Sequence, residues 1–251
     1  MYSVETLIDW YRGHAADLRA AREEQRELLA QRPMRPKLDD IEAEIAYLTV
    51  RALRPRVVVE IGAYHGWSTS WLLRALRDNG DGVLHSYDRI GAAAANLPDE
   101  LTRTRWRFTR GDVRAAELPA DPGFVLVDAR HTAGFARWYT AGLLERLRPG
   151  AAVAVHDVFH GRRPWPGSEG AVLLRWLRGK GLAYLTASRR GDPDLHDHLL
   201  SLKRRLRMSA AVHRHSCDPM LFFGTAGLRC SSSSSSSSSV PQDYAHDGSA
   251  V

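Results

Sequence analysis

Two pairs of side chains stand out as groups able to move a proton or hold an ion. Asp128 is followed three residues on by His131, and His156 is followed directly by Asp157. Each pair ends a short apolar run, FVLVD at 124–128 and AVAVHD at 152–157. Imidazole titrates near neutrality, so His131 or His156 could act as a general base on a hydroxyl. Alternatively, Asp128, His156 and Asp157 could help hold Mg2+, which would lower the pKa of a bound hydroxyl and orient it. Imidazole is a poor ligand for so hard an ion, and both routes stay open at this point.

The elements that must position these groups centre on residues 57–73, VVVEIGAYHGWSTSWLL. The β-branched run into Glu60 and Ile61 reads as a strand buried on both faces. Gly62 and Gly66 bracket a turn, and Ser68 or Thr69 is placed to cap a following helix. Strand, glycine turn and helix is the arrangement by which an open α/β sheet takes a nucleotide-like ligand. The spacing is not that of a dinucleotide fingerprint, because Tyr64 stands where a pyrophosphate turn needs its middle glycine. Glu60 also disfavours phosphate and suits a cationic ligand with an amino group. Asp88 ends the second predicted strand, 88 − 66 = 22 residues beyond Gly66. An acid there can accept hydrogen bonds from a ribose diol.

The stretch EIGAYHGWSTSWL resembles motif I of the class I S-adenosylmethionine-dependent methyltransferases, and of bacterial small-molecule O-methyltransferases in particular. Asp128-Ala129-Arg130-His131 is similar to that family's D-G-x-H, with Ala129 in place of the glycine. LRPGAAVAVHDV at 147–158 resembles the segment that ends its fifth strand. The resemblance spans about residues 38–187. It implies an α/β fold: a doubly wound, Rossmann-like, mostly parallel seven-stranded sheet with an antiparallel last strand, plus an N-terminal helical extension. It implies S-adenosylmethionine as cofactor, bound by Glu60, Gly62, Ala63, Tyr64, Gly66, Ser68, Asp88, Asp112 and Asp128, with Asp112 beside the adenine. Glu60, Asp88 and Asp112 should then surround one hollow. Related divalent-metal O-methyltransferases place acids where Asp128 and Asp157 stand. The implied reaction is in-line methyl transfer to a small-molecule hydroxyl. Two other classes stay open: a methyltransferase of RNA or another macromolecule, and a non-catalytic cofactor-binding protein of the same fold.

Composition constrains the partners. The net charge is +6, but the excess is arginine spread through every segment, with lysine only at 37, 180 and 203. A nucleic-acid substrate is therefore not the expected partner, and a small-molecule acceptor is. No apolar run approaches the roughly 18 residues of a membrane span. Cys217 and Cys230 have no metal-knuckle spacing, and the first residues lack a signal-peptide pattern, so the expectation is a cytoplasmic protein. Residues 1–36 read as a helical arm, a lid or a homodimer contact. Residues 37–229 read as the methyltransferase domain, with helices over 38–53, 90–104 and 136–147. An insertion at 189–218 carries a basic amphipathic helix over 195–208, read as a solvated face. The tail 230–251, with nine consecutive serines, cannot bury a core and is expected to be disordered.

Overall fold

The computed structural model describes residues 2–158, 164–214 and 220–225. The serine-rich tail, both cysteines and residues 159–163 of the loop after 156–157 lie outside the described residues.

Seven strands form one sheet in the order β3-β2-β1-β4-β5-β7-β6. β1 (Val57–Ile61) lies at its middle, flanked by β2 (Val83–Asp88) and β4 (Phe124–Val127), both parallel to it. β3 (Trp106–Arg110) and β5 (Ala152–Val155) extend the parallel set. β7 (Leu221–Gly224) runs antiparallel between β5 and the two-residue β6 (Tyr184–Leu185). The chain order reverses between β1 and β4, and the segments that follow them leave to opposite faces of the sheet. Open α/β sheets leave a ligand crevice there, beyond the carboxyl ends of the strands.

Alternation along the strands divides the interior into two cores. Val58, Phe124, Leu126, Ala152 and Phe222 face one side of the sheet. Val59, Ile61, Val125, Val127 and Phe223 face the other. On the first side lie α1 (Val4–Gly13), α2 (Ala15–Gln31), α3 (Asp40–Leu53) and α4 (Trp67–Asn79). α5 (Ala92–Asn96) and α6 (Asp99–Thr102) are short, and Pro98 divides what the sequence suggests is one helix. α7 (Ala133–Trp138) and α8 (Glu169–Gly179) cover the second side. The expected helix over 136–147 is instead α7, a π turn at Tyr139–Leu143 and a 3-10 turn at Leu144–Arg146.

The N-terminal arm is an integral layer. Leu7, Tyr11, Leu18, Ala21 and Leu28 are buried in the same core as Ile45, Leu48 and Trp71. Its apolar stripe is occupied by its own chain. α9 (Pro193–Arg205), the helix of the insertion, is likewise packed down through Leu195, Leu199 and Leu202. Lys203 is buried with them, its ammonium 2.8 Å from Glu44 Oε1. Arg22 joins the same buried network, on Glu44 and, at 3.2 Å, Asp40. The basic run at 203–207 therefore begins with a structural cation rather than a solvated one.

Candidate active site

A cavity of about 580 Å³ opens beyond the carboxyl ends of β1, β2 and β4. That volume suits one cofactor-sized molecule. Gly62, Tyr64, Asp88, Asp112, Asp128, His131 and Asp157 all line it, so the structure gathers these sequence candidates around one space.

The glycine turn owes its shape to close approach. Gly62 has φ +97°, and a Cβ there would stand 1.7 Å from the carbonyl oxygen of Asp128. Any side chain would force β1 and β4 apart. Tyr64 adopts φ +45°, uncommon for an aromatic residue, and its N–H donates to Asp88 Oδ2 at 2.6 Å. Asp88 Oδ1 accepts the N–H of Ile90 at 2.9 Å. The acid thus braces both walls of the cavity mouth and retains further acceptor capacity. Asp112 caps the short turn after β3 by accepting the Arg114 N–H, and its carboxylate lies 2.6 Å from the Arg114 guanidinium. That hydrogen bond holds its carboxyl well below the usual range.

Five of the residues assigned by sequence lie elsewhere. Glu60 is fully buried and does not line the cavity. Strand alternation sends Ile61 to the cavity side and Glu60 to the α4 side. There its carboxylate accepts from Ser68 at 2.6 Å, Thr69 at 2.8 Å and Ser86 at 2.6 Å. Burial pushes its pKa up to about 7 against those three donors. Ser68 and Thr69 therefore serve Glu60 rather than cap α4, whose N-cap is Gly66 at φ +94°. Ala63 and Gly66 close the turn from behind through a 2.7 Å backbone hydrogen bond. His156, the fifth, is 1% exposed and lies beneath the cavity floor.

The reactive end is an ionic cluster. His131 Nε2 is 3.0 Å from Asp157 Oδ2, and its Nδ1 is 3.0 Å from Glu169 Oε2. Burial alone would lower the pKa of His131. The hydrogen bonds and charges of Asp157 and Glu169 outweigh it and push it up to about 10. His156 Nδ1 lies 3.2 Å from Asp128 and 3.4 Å from Asp157, and its Nε2 lies 3.4 Å from Glu42. Burial again works downward, and these carboxylates hold its pKa well above the ordinary value. Both imidazoles thus lie among carboxylates that favour the protonated ring, and His131, with a carboxylate 3.0 Å from each ring nitrogen, presents no free lone pair to a hydroxyl. Asp157 sits at φ +53°, which swings its carboxylate into the cavity beside Asp128.

Among the described residues, Asp128, His131 and Asp157 are the group whose donor atoms lie close enough, within 4.8 Å of one another, to share a cation. The histidine of that set is His131, not the expected His156. Two oxygens and one nitrogen fit a borderline divalent ion better than Mg2+, which prefers oxygen donors alone.

Three residues of this region escaped the sequence reading. Glu169 opens α8 directly after its cap Ser168, and Glu42 completes the capping box of α3 with Asp39. Both look locally like ordinary first-turn acids. Their bonds to histidines far away in sequence are visible only in the fold. Lys37 lines the cavity, its ammonium 5.9 Å from the centre of the Tyr64 ring.

Comparison with known proteins agrees with this architecture. Residues 59–158 match the model of a methyltransferase-domain family. No curated protein matches. Among solved structures, a Klebsiella pneumoniae protein described as an O-methyltransferase aligns at 16% identity, TM-score 0.53, over 84% of this chain and 90% of its own. The O-methyltransferase TomG from Streptomyces achromogenes, solved with S-adenosylmethionine, aligns at 18% identity and TM-score 0.51 over 90% of this chain and all of its own, 100%. An O-methyltransferase from Bacillus cereus, solved with S-adenosylhomocysteine, aligns at 14% and 0.51 over 89% and 100%. At such identities the likeness is one of fold. Residues 59–158 thus resemble a methyltransferase domain, and the chain has the fold of the class I S-adenosylmethionine-dependent methyltransferases.

Proposed function

We propose that the protein transfers the methyl group of S-adenosylmethionine to a hydroxyl of a small molecule. The observation that carries this reading is that Asp88 and Asp112 line the same cavity as the Asp128–His131–Asp157 cluster. Asp88 would accept from the ribose diol and Asp112 from the adenine amino group. The bare Gly62 lets the methionyl part pass close to the backbone. Asp128 and Asp157 put negative charge where a sulfonium would lie, and the acceptor oxygen would approach from their side. Holding the two reactants in line supplies most of what such a transfer needs.

The acceptor must also lose its proton. An imidazolium at His131 is a donor, so the cluster as built does not favour a histidine base. Cation assistance is the alternative: Asp128, Asp157 and a His131 that gives up its Nε2 proton to the ion would hold a divalent cation, with Glu169 orienting His131 through Nδ1. Such an ion would lower the pKa of the hydroxyl it binds. Calorimetric titration with S-adenosylhomocysteine is the direct test. Binding at micromolar strength supports the reading, and no binding at millimolar ligand removes it.

A further inference from the structure

A second cavity, of about 590 Å³, lies between the start of α3, the outer face of α9 and residues 208–214. It has no lining residue in common with the cofactor cavity, but the two approach each other along residues 37–39. Lys37 lines the first and Asp39 the second, and Glu42, one helical turn further on, reaches His156 beneath the reactive cluster. We propose that this cavity binds the anionic group, carboxylate or phosphate, of the acceptor whose hydroxyl is methylated. The proposal rests on the function given above and adds to it the chemical class of the substrate.

Charge carries the argument. Arg189, Arg204 and Arg214 all border the cavity, and none has an ion-pair partner among the described residues. The acids of the same wall are already engaged. Asp39 caps α3 by accepting the Glu42 N–H at 2.9 Å. Asp40 accepts Arg22 at 3.2 Å and the N–H groups of Val212 and His213 at 2.9 and 2.8 Å. Guanidinium groups match the paired oxygens of carboxylate and phosphate, and three turned toward one hollow repel each other until an anion enters.

The wall is also built in advance. Arg26 donates to the Ala210 carbonyl at 2.8 Å, and Arg22 donates to it as well. Lys203, directly before Arg204, fixes α9 to Glu44. Arg204 and Arg214 therefore hang from anchored backbone, which lowers the ordering cost of binding. A nucleic acid fits less well: a single strand needs a long basic track with aromatic platforms, and no Phe, Tyr or Trp lines this cavity.

The test uses the full chain saturated with S-adenosylhomocysteine. Titration with phenyl phosphate, followed by 31P line broadening, should show one saturable site in the millimolar range. The triple variant Arg189→Gln/Arg204→Gln/Arg214→Gln should weaken it at least ten-fold. A control removing three exposed arginines elsewhere, Arg12→Gln/Arg146→Gln/Arg175→Gln, should change it less than two-fold. Absent binding, unchanged binding in the first variant, or equal loss in the control would each overturn the proposal. So would tighter binding of a uridine oligonucleotide that the first variant abolishes, which would assign the cavity to RNA. The prior titration with S-adenosylhomocysteine separates the two readings. If that fails, the proposed function falls; if it succeeds and phenyl phosphate does not bind, only the anion site falls.

Discussion

The carboxylate of Asp88 accepts the backbone N–H of Tyr64 at 2.6 Å, so the acid that ends β2 holds the turn that follows β1. Tyr64 needs this support because it sits at φ +45°. One residue thereby shapes the cavity and offers its remaining lone pairs to whatever enters. Replacing it by alanine removes both roles. Asp88→Ala should weaken S-adenosylhomocysteine at least ten-fold by calorimetry, equivalent to about 1.4 kcal/mol or more. Asp88→Asn, which retains one acceptor oxygen, should lose less than alanine. Equal affinity in wild type and Asp88→Ala would exclude Asp88 from the binding site.

Gly62 and Gly80 both have positive φ, +97° and +73°, yet their surroundings differ. A Cβ on Gly62 meets the Asp128 carbonyl oxygen, whereas one on Gly80 meets nothing within 4 Å. Gly80→Ala should cost about 1 kcal/mol, the left-handed penalty alone. Gly62→Ala should cost several times more by urea unfolding and should displace Asp128 as well. Similar costs at the two sites would mean that β1 and β4 are not in such close approach.

Glu60 makes stability depend on pH. Its pKa rises from 4.5 to about 7 on burial, so the folded chain keeps a proton that the unfolded chain releases. Stability is therefore full below about pH 4.5 and declines as pH climbs to about 7, by an amount on the order of 3 kcal/mol from this group. Glu60→Gln cannot titrate. The stability of wild type relative to Glu60→Gln should fall between pH 5 and pH 8 in urea titrations. A difference independent of pH would show that the three hydroxyl donors keep the carboxylate ionised throughout.

The same residue shows what sequence can and cannot reveal here. The succession of strands along the chain, the glycine turn and the acids at the ends of β2 and β4 follow from local pattern, and the arrangement of the sheet from the family resemblance. The facing of Glu60 does not. VVVEI is apolar on both sides because the strand is buried on both faces, and alternation leaves no mark in such a run. A one-residue change of face turned an interior brace into an apparent ligand. His156 and Asp157 pose the same problem in a sharper form. Which of two neighbours enters the cavity depends on the backbone leaving β5, where Asp157 takes φ +53°. Glu42 and Glu169 meet the histidines only through packing of α3 and α8 against the sheet ends, a relation between distant segments that no local spacing encodes.

The reactive cluster yields the sharpest chemical prediction. Asp157 is buried enough to raise its pKa, yet His131 and His156 hold it far below the carboxylate range, so it is ionised at any working pH. On the proposed reading Asp128 and Asp157 would give a divalent ion two charged oxygens, with His131 as the third donor once its proton has gone. Methyl transfer to a hydroxylated acceptor should then fall at least 100-fold in Asp128→Asn and in Asp157→Asn, with S-adenosylhomocysteine affinity falling much less for Asp157→Asn. Chelation should abolish turnover, and Mn2+ should restore it better than Mg2+, because the set includes an imidazole. Glu169→Gln should weaken Mn2+ by about ten-fold or more, since it removes the carboxylate that orients His131. Electron paramagnetic resonance of added Mn2+ reads this directly, without any acceptor. Turnover that survives exhaustive chelation while still requiring Asp157 would return the proton transfer to the protein's own groups, the carboxylates of Asp157 and Asp128 among them.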